Sequence, residues 1–130
     1  MENIYTDREK LKEFERSWLG KTIEIGIDRP IGYVHVKGEK TLHYPINYGY
    51  IQETLAADGE EEDAYVLGIT EPVSEFTGRI IAIINRENDI EHKWVVAPDG
   101  MTFTQEEIAE LTHFQEQYFK STISLLYKHL

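Results

Sequence analysis

The 130-residue chain contains no cysteine. Disulfide scaffolds, thiolate zinc sites, thiol catalysis and iron–sulfur clusters are thereby excluded. Positive charge is also scarce: 13 Lys and Arg stand against 24 Asp and Glu, a formal net charge of -11. Such a surface repels a phosphate backbone and argues against nucleic acid as a partner. Long apolar runs are missing. The longest aliphatic run, Ile80 to Ile84, falls far short of the roughly 20 residues of a spanning helix. Met1 to Arg8 lacks the apolar stretch of a signal peptide. A cytoplasmic protein without membrane contact is the expectation. No Walker loop, Gly-x-Ser-x-Gly elbow or His-Glu-x-x-His helix occurs, and the five histidines form no ligand spacing.

What is present suits one packed domain over residues 1–130: hydrophobic residues make up 41% and aromatics 12%. Thr6 to Glu9 has the form of a capping box, and Leu11, Phe14 and Trp18 follow at helical spacing up to Gly20. The period then changes to two. Ile23, Ile25 and Ile27 alternate with Thr22, Glu24 and Asp28. Short strands are expected around Tyr33 to Lys37, Thr41 to Tyr44, Asp63 to Ile69, Arg79 to Ile84 and Lys93 to Ala97. Thr104 to Glu107 is a second capping box. Ile108, Leu111, Phe114, Tyr118, Thr122 and Leu125 then predict a long C-terminal helical segment, unbroken or interrupted near Thr112. Short strands with helices at the two ends predict an α+β fold around a small, closed or partly closed β-barrel.

The acidic residues are not spread evenly. Lys and Arg are absent between Lys40 and Arg79, while Glu53, Asp58, Glu60, Glu61, Glu62, Asp63, Glu71 and Glu75 all fall there. A turn at Asp58-Gly59-Glu60 can bring Asp58, Glu60 and Asp63 to one rim, where hard oxygen ligands suit Mg²⁺ or Mn²⁺. Asp63 opens an apolar strand, a costly place for a carboxylate that is neither paired nor liganded. The alternative is a solvated acidic loop. A second cluster, Asp89 and Glu91 beside Lys93, can serve a divalent ion and a phosphate group or form an ordinary polar turn. Tyr44, Tyr48 and Tyr50 crowd before the acidic loop, as phosphate donors or as core aromatics.

Tyr44-Pro45-Ile46-Asn47-Tyr48-Gly49-Tyr50-Ile51, followed by Asp58-Gly59-Glu60-Glu61-Glu62-Asp63, resembles the signature of the family I soluble inorganic pyrophosphatases. That family carries Tyr-Pro-x-Asn-Tyr-Gly-Tyr leading into Asp-Gly-Asp-Pro-x-Asp. Glu24 matches its active-site glutamate on the first barrel strand. Glu91-His92-Lys93 before Pro98 resembles its Asp-x-Lys strand, and Tyr118 its helical substrate-binding tyrosine. The resemblance runs from about Lys21 to Lys120.

The resemblance implies a five-stranded, OB-like barrel with flanking helices, and Mg²⁺-dependent hydrolysis of pyrophosphate to two phosphates; Mn²⁺, which suits the same oxygen ligands, is the alternative to Mg²⁺. It implies Asp58 and Asp63 as metal ligands and Glu60 as the proton acceptor at the metal. It further implies Asp89, Glu91 and Glu24 around the metals, and Lys93, Tyr48, Tyr44 and Tyr118 toward phosphate. A symmetric homo-oligomer is within that expectation. The phosphate side departs from the pattern. The family's Lys-x-Glu strand reads Gly32-Tyr33-Val34, its helical lysine is Phe119, and its arginine has no counterpart in register. Arg29, His35, Lys37 and Lys40 are the candidate substitutes, Arg29 foremost. With cations lost there, the alternatives are hydrolysis of another phosphoanhydride or a non-catalytic metal- and phosphate-binding module.

Overall fold

The structure is a computed structural model that describes residue 13, residues 15–52, residue 54, and residues 61–87 and 92–126. Helical residues 15–18 lead into strands β1 (Thr22–Arg29), β2 (Val34–Lys37), β3 (Lys40–His43), β4 (Asn47–Ile51), β5 (Asp63–Val66), β6 (Glu75–Arg86) and β7 (His92–Ala97). Helix α1 (Gln105–Glu116) and strand β8 (Ser121–Leu125) follow. The main sheet runs β1-β4-β5-β7-β6-β8, and an added β1–β6 pairing closes five of its strands into a barrel. β5 and β7 are parallel, while every other pairing is antiparallel. Strands β2 and β3 form a separate hairpin.

Alternation divides the apolar residues into two layers. Ile25, Ile51, Ala64, Val66, Ile80, Ile83, Trp94 and Val96 fill the barrel. Tyr44, Tyr48, Tyr65, Leu67, Ile84 and Val95 face outward and are roofed by α1 through Ile108. Both sets are needed: a sheet covered on each face must be apolar on each face, as β5 and β7 are. Trp18 stacks on Trp94 with ring centroids 4.5 Å apart, so the N-terminal turn packs against the barrel's largest core side chain.

Two irregularities shape the barrel. The β6–β7 register slips between Ile80 and Ala82, leaving Ile81 as an extra residue. This bulge bends the 12-residue β6, so that its first half pairs with β1 and its second half with β8. A like slip between Ile27 and Arg29 makes Asp28 the extra residue of β1.

The helical periodicity beyond Glu116 does not hold. α1 stops there and the chain enters β8. The edge of β6 from Ala82 to Arg86 would otherwise be open, and Ser-Thr-Ile-Ser-Leu covers it, with Ile123 and Leu125 packed on the outer layer. There is no break at Thr112, whose hydroxyl donates to the Ile108 carbonyl within an unbroken helix. The Thr104–Glu107 capping box forms as expected. The first turns of the expected N-terminal helix lie outside the described residues, and no helix among those described is long and apolar enough to cross a membrane.

Candidate active site

Cross-strand neighbours share a face, so register alone brings the key residues together. Gly26 pairs with Tyr50, and Tyr50 with Asp63. The parallel β5–β7 register sets Ala64 beside Trp94 and Tyr65 beside Val95, which brings Asp63 level with Lys93. Glu24 lies two residues before Gly26 and therefore joins the same outer face. Gly49 permits this arrangement: a Cβ there would fall 1.8 Å from the Gly26 carbonyl oxygen. Only glycine lets β4 approach β1 so closely.

Lys93 Nζ donates to Asp63 Oδ2 at 2.5 Å. The lysine side chain is 4% exposed and the aspartate 37%, so the pair reaches from the packed layer to the surface. Burial alone would lower the lysine pKa. The phenol of Tyr48 and the Asp63 carboxylate outweigh it and raise the value, so Lys93 stays an ammonium. Tyr48, whose ring lies beside Lys93, is pushed up to about 12, chiefly by burial. It remains a neutral phenol able to donate a hydrogen bond. Lys93 thus lies buried beside the Tyr48 ring, 5.8 Å from its centroid.

The β1 bulge re-aims Arg29. In regular alternation Arg29 would point into the barrel with Ile27; the extra residue Asp28 turns it onto the face of its partner Tyr48. There the guanidinium donates to the Tyr44 hydroxyl at 2.5 Å and lies 5.5 to 5.9 Å from the ring centroids of Tyr33, Tyr44 and Tyr48. No described carboxylate forms a salt bridge with it. Tyr44 is fully buried, and its hydroxyl donates in turn to Gln115 Oε1 at 2.8 Å. The proton of Tyr44 is therefore spent inside the protein, and this tyrosine holds Arg29 in place.

Sequence reasoning missed a second buried group. Glu116 accepts four hydrogen bonds: Arg86 Nε and Ser121 Oγ on one oxygen, Arg86 Nη2 and the Tyr65 hydroxyl on the other. The ring of Phe119 covers the Arg86 guanidinium, with its centroid 3.6 Å away. Phe119, which stands where the resemblance expects a lysine, therefore seals this ion pair. The available signal was spacing: Ile108, Thr112, Gln115 and Glu116 recur at helical intervals and form the buried stripe of α1.

Tyr118 lies just past α1, 45% exposed, with the Lys40 ammonium 4.1 Å from its ring centroid. Asp58, Glu60, Asp89 and Glu91 lie outside the described residues. Among those described, no three His, Asp or Glu side chains gather as a metal cluster. The described donors fit a hard cation in kind. Asp63 keeps Oδ1 beyond its bond to Lys93, and Glu24 is exposed on the same face beside a concavity of about 210 Å³ lined by Ile23, Ile51 and Gln52.

The family model for inorganic pyrophosphatase matches residues 18–128. Among solved structures, an inorganic pyrophosphatase from Ehrlichia chaffeensis is similar at 19% identity and a TM-score of 0.64, over 83% of this chain and 88% of that one. An inorganic pyrophosphatase from Coxiella burnetii is similar at 18% identity and a TM-score of 0.59, over 82% and 86%. One from Helicobacter pylori follows at 18% identity and a TM-score of 0.55, over 81% and 82%. The chain matches no curated protein sequence. These structures share the OB-like barrel, and the family match spans nearly the whole sequence: the chain belongs to the inorganic pyrophosphatase family, whose reaction is the hydrolysis of inorganic pyrophosphate to two phosphates.

Proposed function

We propose that this chain hydrolyses pyrophosphate on the outer barrel face that carries Asp63, Lys93, Tyr48 and Arg29. The observation that carries the proposal is the Lys93–Asp63 contact, which seats a carboxylate and an ammonium side by side at the mouth of a parallel strand pair. Asp58, Glu60, Asp63, Asp89, Glu91 and Glu24 would hold Mg²⁺, or Mn²⁺ in its place, which when bound would lower the pKa of a water and neutralise charge on the phosphoryl oxygens. Glu60 takes the proton of the attacking water. Lys93, Arg29, Tyr118 and the Tyr48 hydroxyl hold the phosphates, and Tyr44 acts through Arg29. As the new P–O bond forms, the bridging P–O bond breaks and one phosphate leaves.

Residues 1–130 act on this reading as one inorganic-pyrophosphatase-like domain in the cytoplasm, without nucleic acid and as a homo-oligomer. Fractionation tests the location, and sedimentation tests the assembly. A substrate panel tests the specificity: pyrophosphate, tripolyphosphate and nucleoside triphosphates, each under Mg²⁺ and Mn²⁺. Fastest phosphate release from pyrophosphate is expected. Preference for a longer chain would move the assignment to another phosphoanhydride. Tight binding without turnover would indicate a regulatory module.

A further inference from the structure

We propose that Lys40, reaching across from the β2–β3 hairpin onto Tyr118, is a phosphate-binding cation of this site. The inference rests on the functional reading above. Along each strand of the hairpin, alternate residues share a face. Leu42 packs on the outer core layer, so Lys40, two residues away, faces the body of the protein as well. His35 and Lys37, the partners of Leu42 and Lys40, lie on that same inner face. Lys37 and Lys40 are therefore direct cross-strand neighbours of like charge, an arrangement that destabilises a hairpin. The chain carries 24 acidic side chains, yet neither lysine forms a salt bridge with any described carboxylate. Folding does not explain two unneutralised cations side by side at one hairpin tip; an anionic ligand does.

Position supports the same conclusion. Tyr118 follows Gln115 by three residues, and Gln115 accepts from the Tyr44 hydroxyl that holds Arg29. Lys40 and Arg29 thus flank one short segment at the C-terminal end of α1. The Tyr118 ring orients the Lys40 ammonium by a cation–π contact, leaving its three N–H donors without a described protein acceptor. The neighbouring helix-end residues cannot take this role. Phe119 covers Arg86, and Lys120 pairs with Glu87 at 3.3 Å.

The test uses the full chain and two readouts. The first is KM and kcat for Mg²⁺-pyrophosphate. The second is calorimetric affinity for methylenediphosphonate with Mg²⁺, whose P–C–P bridge cannot be hydrolysed. K40Q is expected to raise KM and weaken the analogue at least 5-fold, with kcat within 2-fold and an unchanged circular dichroism spectrum. K40R is expected to restore most of the affinity, and K120Q to change neither readout. Equal analogue affinity for wild type and K40Q overturns the proposal, as does an equal loss in K120Q. If wild type binds the analogue but releases no phosphate, the hydrolase reading fails and Lys40 is still judged by affinity.

Discussion

Arg29 and Tyr48 face each other across β1 and β4 because Asp28 is an extra residue in β1. A one-residue bulge carries a cation from the barrel interior to the face that holds Asp63 and Lys93, where three tyrosine rings surround it. On the proposed reading, the phosphate side of the site draws on barrel strands and a hairpin, in place of the positions that the family pattern leads one to expect.

The cation and the bulge that carries it can be tested apart. Deletion of Asp28 removes the extra residue but leaves Arg29 directly after Ile27, still opposite Tyr48 in regular alternation, so KM for pyrophosphate is expected to stay within about 3-fold of wild type. R29Q, which removes the cation itself, is expected to raise KM at least 10-fold. Steady-state kinetics on both variants checks the pair, and an unchanged KM in R29Q removes Arg29 from the substrate site.

Y44F tests the support beneath Arg29. The hydroxyl links Arg29 to Gln115, and its loss costs a hydrogen bond to a charged group, about 1.5–3 kcal/mol in typical cases. Since Arg29 is only partly buried, the lower end is expected in a denaturant titration. KM should rise less than in R29Q, and Y44F should add little to R29Q in the double variant.

Gly49 admits no side chain. A methyl group would meet the Gly26 carbonyl oxygen, a backbone atom that no rotamer change can move. G49A is expected to destabilise by about 3 kcal/mol or more, at or beyond the usual range for overpacking. Thermal unfolding measures this, and a wild-type midpoint would contradict the close β1–β4 approach.

Glu116 sets an acid limit to stability. Burial by itself raises its pKa, but the hydrogen bonds from Arg86 and Tyr65 and the Arg86 charge outweigh burial and hold it below the ordinary carboxylate value. Folding therefore favours the ionised form. The contribution is present above the unfolded pKa of about 4.3 and is lost as pH falls through the folded value. E116Q removes that slope below about pH 4. At pH 7 it leaves Arg86 buried without its carboxylate, a loss of about 3–5 kcal/mol in comparable cases. Chemical denaturation of both proteins from pH 7 to pH 3 measures the two effects together.

The barrel was largely legible because β1, β5, β6 and β7 announce themselves by alternation or by continuous apolar runs, and no helix separates them. The C-terminal strand was not legible. Ile123 and Leu125 fit both a helical continuation and a strand, and only the open edge of β6 decides between them. On the site, the Tyr44 to Asp63 segment is readable as chemistry because a carboxylate leading an apolar strand demands a partner. That this partner is Lys93 follows from the parallel register of β5 and β7, a long-range fact no local pattern carries. The Arg86–Glu116 pair was hidden for a related reason. Each residue closes an otherwise ordinary element, and their meeting depends on how α1 crosses the sheet.

Phosphate release from pyrophosphate, followed with Mg²⁺ and after its removal by chelator, in wild type and in D63N, tests the central claim most directly. Robust release by wild type with Mg²⁺ alone, and at least a 1,000-fold loss in a D63N protein of native circular dichroism, is the outcome expected. Release that persists in D63N, or none from wild type at high enzyme concentration, would contradict it.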